Sequence, residues 1–194
     1  MTERSPSTPG DGPERAGTGP QSWRQIFDDV AAGRTAALEA LYDTAAPQLY
    51  GLALWRTGSV EDASDVVQDV FVRVVEQGVR LAAVRDPKAW LLTVTHRAAV
   101  DVTRRRTRRR SAPLEDSPLL TAAATDGDRA IDAARASRML AALPAGQRDA
   151  IYLRHFAGCS FAEIGAIVGV PKFTAASRYR NGIGRLRKLM EGSS

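Results

Sequence analysis

The sequence predicts an all-α protein, built from two small helical domains joined by a flexible linker, the second a helix-turn-helix domain. Apolar residues recur every three to four positions through most of the chain, and no stretch shows a convincing strand pattern. Aromatic residues make up only 6% of the sequence, which favours helices packed through Ala, Leu and Val. Two such helical blocks are separated by a segment with the composition of a linker.

Changes in composition predict where the domains begin and end. Residues 1–20 are rich in Pro and Gly, carry no apolar core, and are expected to form a flexible tail. The first domain is expected over residues 21–110. Prolines, acids and small residues then fill positions 111–128, as in a linker. The second domain is expected over residues 129–191.

The first domain begins with two apolar stripes at helical spacing, separated at Gly33, where the first helix is expected to end. Pro47 is expected to kink or interrupt the second helix, because proline lacks an amide hydrogen. Ser59 then predicts a helix start, since carboxylates follow in the first turn, where the helix dipole favours them. The helix that continues to Gly78 has an apolar stripe at helical spacing, which we expect to be core: Val66, Val67, Val70, Phe71, Val74 and Val75.

A loop over residues 79–85 is expected to lead to Asp86 and Pro87, a cap followed by proline at the first helical position. The next helix is predicted to run from Lys88 to Arg110. Trp90 falls in the apolar stripe of this helix, so we expect it on the buried face. It ends in a run of six arginines interrupted by one threonine. Such a run can bind phosphate groups.

Gly158–Leu189 is the most informative stretch of the second domain. A short apolar helix reaches the break Gly169-Val170-Pro171, and a much more basic helix follows from about Lys172. Two helices joined by a tight turn, the second rich in arginine, present that second helix to the major groove of DNA.

Charge is distributed unevenly around the modest net value of +5. Residues 21–77 hold 4 basic and 9 acidic side chains, whereas residues 78–111 hold 10 basic and 2 acidic ones. Residues 112–139 hold 3 basic and 5 acidic side chains, and residues 140–194 hold 8 basic and 3 acidic ones. Two basic blocks predict two contacts with nucleic acid, and the acidic blocks leave a face for another partner.

Other function classes find little support in the sequence. The single cysteine, Cys159, excludes an internal disulfide framework and suits a reducing compartment. No apolar run is long enough to span a membrane and the first residues do not resemble a signal peptide, so we expect a cytoplasmic protein. His155 and Cys159 are four residues apart, but two ligands make a poor metal site. With two histidines and no glycine-rich phosphate loop, we expect neither an enzyme nor a cofactor.

Both halves resemble the extracytoplasmic-function group of bacterial sigma factors. In the first half, the resemblance rests on Asp65–Arg73 (DVVQDVFVR) and Asp86–Val94 (DPKAWLLTV), followed by Asp101 and the arginine run. In the second half, it rests on Leu143-Pro144, Arg148, Leu153-Arg154, Gly158 and Ser160–Ile164 (SFAEI), and on Thr174, Ser177-Arg178 and Leu186-Arg187. The two signatures in this order, with a linker between them, are a stronger signal than either half alone.

The resemblance implies specific partners for each segment. The polar face of the Ser59–Gly78 helix would bind the coiled coil of the largest subunit of core RNA polymerase. Its contact residues would be Asp65, Gln68, Asp69 and Arg73. The helix from Lys88 would recognise and open the −10 region of promoter DNA, with residues 79–85 as a loop that captures bases. Its candidate DNA-binding residues are Arg85, His96, Arg97, Arg104 and Arg105.

In the second domain, the resemblance implies that the basic helix reads the −35 element. Its candidate residues are Lys172, Thr174, Ser177, Arg178 and Arg180. This helix departs from the family pattern at Phe173, Ala175-Ala176, Tyr179 and Asn181, so its target sequence cannot be taken from relatives. His96-Arg97 likewise stand where Arg-Asn is common. The linker would thread towards the active site of polymerase, although a passive tether explains its composition equally well.

The sequence leaves one competing function open. A stand-alone helix-turn-helix regulator would carry the same second domain, but its first domain would show a strand pattern or a ligand pocket rather than an arginine-ended helix. The expected partners are core RNA polymerase and promoter DNA, with no membrane contact. An anti-sigma factor is common in the family, but no residue of this chain identifies one.

Overall fold

The computed structural model describes residues 20–110 and 139–191, which are helical and contain no strand. Of the predicted tail over residues 1–20, only Pro20 is described, as the first residue of the first helix. Residues 1–19 and the predicted linker over residues 111–128 lie outside the described ranges. The elements are α1 (Pro20–Ala31), α2 (Thr35–Thr57), α3 (Val60–Gln77), a 3-10 helix (Gly78–Ala83), α4 (Pro87–Arg110), α5 (Ala145–His155), α6 (Phe161–Val168) and α7 (Lys172–Glu191). The all-α prediction is confirmed. Within the described ranges, no helix is both long and apolar enough to cross a membrane.

Side chains fix the helix boundaries as the sequence predicts. The Ser59 hydroxyl accepts a hydrogen bond from the Asp62 amide at 3.2 Å and so caps α3. The Asp86 carboxylate accepts from the Ala89 amide at 2.9 Å at the start of α4. Of the two outcomes predicted for Pro47, a kink or an interruption, the interruption does not occur, since the 23-residue helix α2 includes Pro47. Buried apolar residues on both sides of Pro47 offset the one backbone hydrogen bond that proline removes.

The core of the first domain lies between α1, α2, α3 and α4, and Phe27, Leu41 and Leu91 are fully buried in it. Residues 79–83 of the predicted loop over residues 79–85 instead belong to the 3-10 helix, which begins at Gly78. The reason is Leu81, which is fully buried, together with Arg24, whose guanidinium donates to the Ala82 carbonyl at 2.8 Å. The prediction that Val75 belongs to the core is wrong, because this residue is 58% exposed.

The second domain is a helix-turn-helix formed by α6 and α7 and supported by α5. Ser160 and Glu163 form a capping box that begins α6, and Gly169 ends it with a φ of +74°. Gly165 allows the turn to close, because a Cβ there would lie 2.6 Å from the Val170 carbonyl oxygen. Helix α7 begins at Lys172, as the sequence predicts.

The two domains are in direct contact, which the sequence did not predict. Helix α5 packs on α2, and α6 packs on α4. One cluster of buried apolar residues runs from the first domain into the second. Helix α4, which carries most of the candidate DNA-binding residues of the first domain, therefore also belongs to the contact between domains.

Candidate nucleic-acid interface

The outer surface of α3 presents the four residues predicted to contact a protein partner. Asp65, Gln68, Asp69 and Arg73 are all exposed, and their spacing places them on one side of the helix. We refer to these four residues as the α3 face. The opposite side of α3 is held in the core by residues such as Val70 and Val74. A rigid helix therefore presents both charge signs to solvent.

Apolar surface adjoins the α3 face, and sequence reasoning missed it. Val72 and Tyr42 are more than half exposed, and the rings of Tyr42 and Phe71 lie 4.8 Å apart. A groove of about 490 Å³ runs between α2 and α3. Its lining residues are Tyr42, Asp43, Ala46, Pro47, Tyr50, Ser64, Val67 and Gln68. An exposed apolar patch beside directed polar groups is typical of a protein-binding surface.

Four of the five candidate DNA-binding residues of the first domain are solvent-exposed. Arg97, Arg104 and Arg105 project from α4, and Arg85 lies just before the helix begins. Arg104 also lines a groove of about 520 Å³ with Arg108 and three other residues of α4. This concentration of exposed guanidinium groups suits the sugar-phosphate backbone of nucleic acid.

His96, the fifth candidate, is only 7% exposed. Its Nε2 atom lies 3.0 Å from a carboxylate oxygen of Asp149 on α5. The same oxygen accepts a hydrogen bond from Arg56 of α2 at 2.6 Å. The structure therefore places His96 in the contact between the domains, away from the exposed arginines.

Arg106 also differs from the rest of the arginine run. Its guanidinium donates to the Asp62 carboxylate at 2.8 Å and to the Thr57 carbonyl at 2.6 Å. These bonds connect α4 to the start of α3 and the end of α2. Spacing alone gave no means of separating this structural arginine from its neighbours.

The candidate residues of α7 divide between two sides of the helix. Lys172 and Arg180 are exposed, and Thr174 and Ser177 are half-buried. Arg178 is also half-buried, because its guanidinium lies against Gly146 of α5. The side opposite the buried Ala175 and Gly182 forms the outward surface. We refer to Phe173, Ser177, Arg180 and Arg187 as the recognition face.

Two departures from the family pattern have distinct structural outcomes. Tyr179 packs inside the domain, with its ring 5.5 Å from that of Phe161 and its hydroxyl 2.9 Å from His155 Nε2. Phe173 instead is 77% exposed, on the first turn of the recognition face. The apolar ring of Phe173 is therefore open to contact with a binding partner.

The described residues contain no group of three or more His, Cys, Asp or Glu side chains that could hold a metal ion. His155 ends α5, whereas Cys159 follows the helix and is buried. Burial raises the pKa of the Cys159 thiol to about 11. A neutral buried thiol is a weak ligand and nucleophile.

Comparisons with known proteins agree with the two halves of the fold. A family model described as Sigma-70 region 2 matches residues 41–109, and one described as Sigma-70, region 4 matches residues 133–186. The ECF RNA polymerase sigma factor SigL of Mycobacterium tuberculosis is 29% identical over 84% of this chain and 93% of its own length. SigE of Mycolicibacterium smegmatis is 32% identical over 85% of this chain and 66% of SigE.

Two solved structures show the same fold. CnrH, in complex with the cytosolic domain of CnrY, superposes with a TM-score of 0.66 at 23% identity, covering 88% of this chain and 98% of CnrH. RpoE of Bartonella quintana, in complex with the anti-sigma factor NepR, superposes with a TM-score of 0.65 at 24% identity. That match covers 79% of this chain and 96% of RpoE.

Proposed function

Because the chain belongs to the extracytoplasmic-function group of the sigma-70 family, we propose that it is a non-enzymatic initiation factor that binds core RNA polymerase and directs it to promoters. The observation that carries this proposal is the pair of matches to region 2 and region 4, in that order on one chain. Each half has surfaces suited to the proposed binding partners. The first half presents the α3 face and the arginines of α4, and the second half presents the recognition face of α7.

The α3 face is the proposed site for core polymerase. Asp65 and Asp69 can accept charge-assisted hydrogen bonds, and Arg73 can donate them, so a charged partner helix would be bound in one register. The neighbouring apolar surface of Val72 and Tyr42 adds contact area that water would leave on binding. Polar groups here give orientation, and the apolar groups give affinity.

Helix α4 is the proposed site for the −10 element. Bases become accessible only when the duplex opens, and the exposed strand must then be held on a positive surface. Arg97, Arg104 and Arg105 provide that surface along the helix. The 3-10 helix before α4 carries Val79, which is 77% exposed and available to an unstacked base.

The recognition face of α7 is the proposed site for the −35 element. A helix in the major groove contacts base edges mainly through its N-terminal residues, which here are Lys172, Phe173 and Ser177. Arg180 lies further along the same side and is suited to guanine. Arg178 is proposed to act at the edge of this surface, since its guanidinium already contacts α5.

We also propose that an anti-sigma protein restrains this chain. The support is the match to RpoE, which was solved with the anti-sigma factor NepR.

Transcription in vitro tests the proposed function. Core polymerase from the source organism would be incubated with its sheared genomic DNA, with and without the purified chain, and the 5′ ends of the transcripts mapped. We expect new start sites preceded by two shared sequence elements at a fixed spacing. A stand-alone regulator would bind DNA without binding core polymerase, and a chain that neither binds core nor adds start sites would refute the proposal.

A further inference from the structure

We propose that His155 and Tyr179 form a phosphate-binding site at the edge of the helix-turn-helix, where they hold the backbone of one DNA strand beside the recognition face of α7. The ligand is a single phosphodiester group of the upstream promoter element. The proposal rests on the proposed function of α7, and it adds a contact outside the candidate residues that the sequence suggested.

Four side chains from three helices meet at this edge of the second domain, and we refer to Arg154, His155, Phe161 and Tyr179 as the edge cluster. His155 Nε2 lies 2.9 Å from the Tyr179 hydroxyl oxygen, and the centres of the two rings are 5.4 Å apart. The Tyr179 ring lies 5.5 Å from that of Phe161, and the Arg154 guanidinium lies 5.1 Å from the centre of the Phe161 ring. These ring contacts restrict side-chain rotation and so fix the position of the Tyr179 hydroxyl.

The His155–Tyr179 pair keeps one hydrogen-bond donor for a partner. When the hydroxyl donates to Nε2, the neutral imidazole carries its own proton on Nδ1; when Nε2 donates to the hydroxyl oxygen, the O–H is left over. Among the described residues, the bond between these two side chains is the only hydrogen bond that either of them makes. Because His155 is also exposed, a donor of the pair is open to an anion in both arrangements.

Positive charge predominates in the helix-turn-helix. Residues 151–180 carry four arginine or lysine side chains and one acidic side chain, that of Glu163. The Arg154 guanidinium donates to the Cys159 carbonyl at 3.1 Å, which holds its charge at the turn between α5 and α6. The Glu163 carboxylate accepts a hydrogen bond from the Ser160 amide at 2.6 Å and is thereby engaged by the start of α6. The edge cluster therefore suits an anion.

The geometry of helix-turn-helix binding places the edge cluster beside the backbone of one strand. The major groove is about 12 Å wide and a helix with its side chains is about 10–12 Å across, so the flanks of a helix in the groove approach the phosphates. Tyr179 precedes Arg180 of the recognition face and lies about 100° around α7 from it, on a flank of the helix. The first helix of the motif crosses the backbone, and Phe161 is the first residue of α6. Both helices thus bring the edge cluster to the backbone that α6 crosses.

A phosphodiester fits the donor of this pair better than a base edge does. Base edges form the floor of the major groove, which the recognition face would meet, whereas the edge cluster lies on the flank of α7. Phosphate oxygens accept hydrogen bonds from tyrosine hydroxyls and from cations, and such contacts fix the register of a protein on the duplex. The His155–Tyr179 pair therefore positions the duplex, and the recognition face specifies its sequence.

A scan of the DNA backbone with methylphosphonates tests the proposal. Each modified duplex replaces one charged phosphate oxygen of the mapped upstream element by a methyl group, which removes the charge and an acceptor. Fluorescence anisotropy measures the affinity of holoenzyme, which should fall at each phosphate that the wild-type chain contacts. Holoenzyme with Tyr179→Phe keeps the ring against Phe161 and lacks only the hydroxyl. At one of these phosphates, its loss should be smaller than the wild-type loss by about threefold or more.

Unmodified DNA gives the second readout. Tyr179→Phe should bind it roughly three- to tenfold more weakly than the wild type, which corresponds to one hydrogen bond. His155→Gln, at an exposed position, should show a similar loss and the same altered phosphate. The double variant should be no weaker than the weaker single variant, because the two side chains act as a unit. The control Thr35→Val removes an exposed hydroxyl at the start of α2 and should behave as the wild type.

The outcomes separate this proposal from the proposed function. A merely structural hydrogen bond would weaken binding to every duplex by the same factor, so equal losses for wild type and Tyr179→Phe at every modified phosphate would overturn the phosphate site. Equal affinities of the two proteins for unmodified DNA would overturn it as well. Wild-type holoenzyme that initiates transcription without contacting the upstream element would refute the proposed function of α7, and the phosphate site with it.

Discussion

The Arg106 guanidinium donates a 2.8 Å hydrogen bond to the Asp62 carboxylate, which connects the C-terminal part of α4 to the first turn of α3. A second hydrogen bond, to the Thr57 carbonyl, satisfies a backbone group at the end of α2. Three helices are thereby held together by one side chain. Its neighbour Arg105 is exposed and belongs to the proposed DNA surface.

Arg106→Gln should lower the free energy of unfolding by about 1–2 kcal/mol, because both hydrogen bonds to a partly exposed cation are lost. Arg105→Gln is the matched control, and it should leave stability unchanged while weakening DNA binding in a salt-dependent way. Urea denaturation monitored by circular dichroism measures the first effect. Equal stability of the two variants would contradict the structural role of Arg106.

Gly182 and Gly184 on α7 should respond oppositely to alanine. A Cβ at Gly182 would lie 2.8 Å from Ile151 of α5, whereas a Cβ at Gly184 would meet nothing within 4 Å. Gly184→Ala should therefore raise the free energy of unfolding by about 1 kcal/mol through helix propensity. Gly182→Ala should lower it, because the Ile151 side chain must shift and Gln147 Cβ, 3.1 Å away, leaves little room. Thermal melts of the two variants check the prediction, and equal shifts would refute this packing of α5 on α7.

Phe173 should recognise a thymine methyl group in the upstream promoter element. Its exposed ring lies on the recognition face, and burial of one methyl group is worth about 0.8 kcal/mol, or roughly fourfold in affinity. The test replaces each thymine of the mapped element by deoxyuridine, which lacks only that methyl. Wild-type holoenzyme should lose about fourfold at one position, and Phe173→Ala should lose this discrimination. Arg187→Ala, the control, should weaken binding to both DNAs equally.

Stability should decline in alkaline solution as two buried groups lose their protons. Burial raises the pKa of Cys159 to about 11 and that of Tyr152 to about 12, so each holds its proton more tightly in the folded chain. Stability from Cys159 is therefore complete below the unfolded pKa of about 8.5 and is lost as the pH approaches 11. Urea titrations should show this decline, and Cys159→Ala should delay it until tyrosine ionises. A wild-type profile that is flat to pH 11 would be contrary to this account.

Local patterns predicted the helices and the polar faces because those features depend on neighbouring residues. The caps at Ser59 and Asp86, the start of α7 at Lys172 and the exposed α3 face all agree with the sequence-based expectations. Helix α2 is not interrupted at Pro47, because tertiary packing outweighs the loss of one helical hydrogen bond. The prediction for Val75 was wrong because α3 has valines on both its buried and its exposed side, and their spacing in the sequence looks like a single apolar stripe.

Features that join distant parts of the chain could not be predicted in this way. His96 and Arg106 both looked like members of a basic surface, yet each has a carboxylate partner far away in sequence. The partner of His96 is 53 residues away, and no periodic pattern records such a pairing. Gly51 likewise gives no signal in the sequence, yet a Cβ there would lie 2.2 Å from the Tyr152 hydroxyl oxygen. Only contacts between residues far apart in sequence, within and between the domains, assign these side chains their structural roles.

The central claim is that this chain is a subunit of RNA polymerase and binds the core enzyme through the α3 face. The affinity of the chain for core RNA polymerase tests that claim most directly. Biolayer interferometry would compare the wild type, the double variant Asp65→Ala/Gln68→Ala, and the control Glu39→Ala on the exposed side of α2. We expect tight binding by the wild type and the control, and at least about tenfold weaker binding by the double variant with its fold intact. Absence of wild-type binding, or equal binding by all three proteins, would contradict the account.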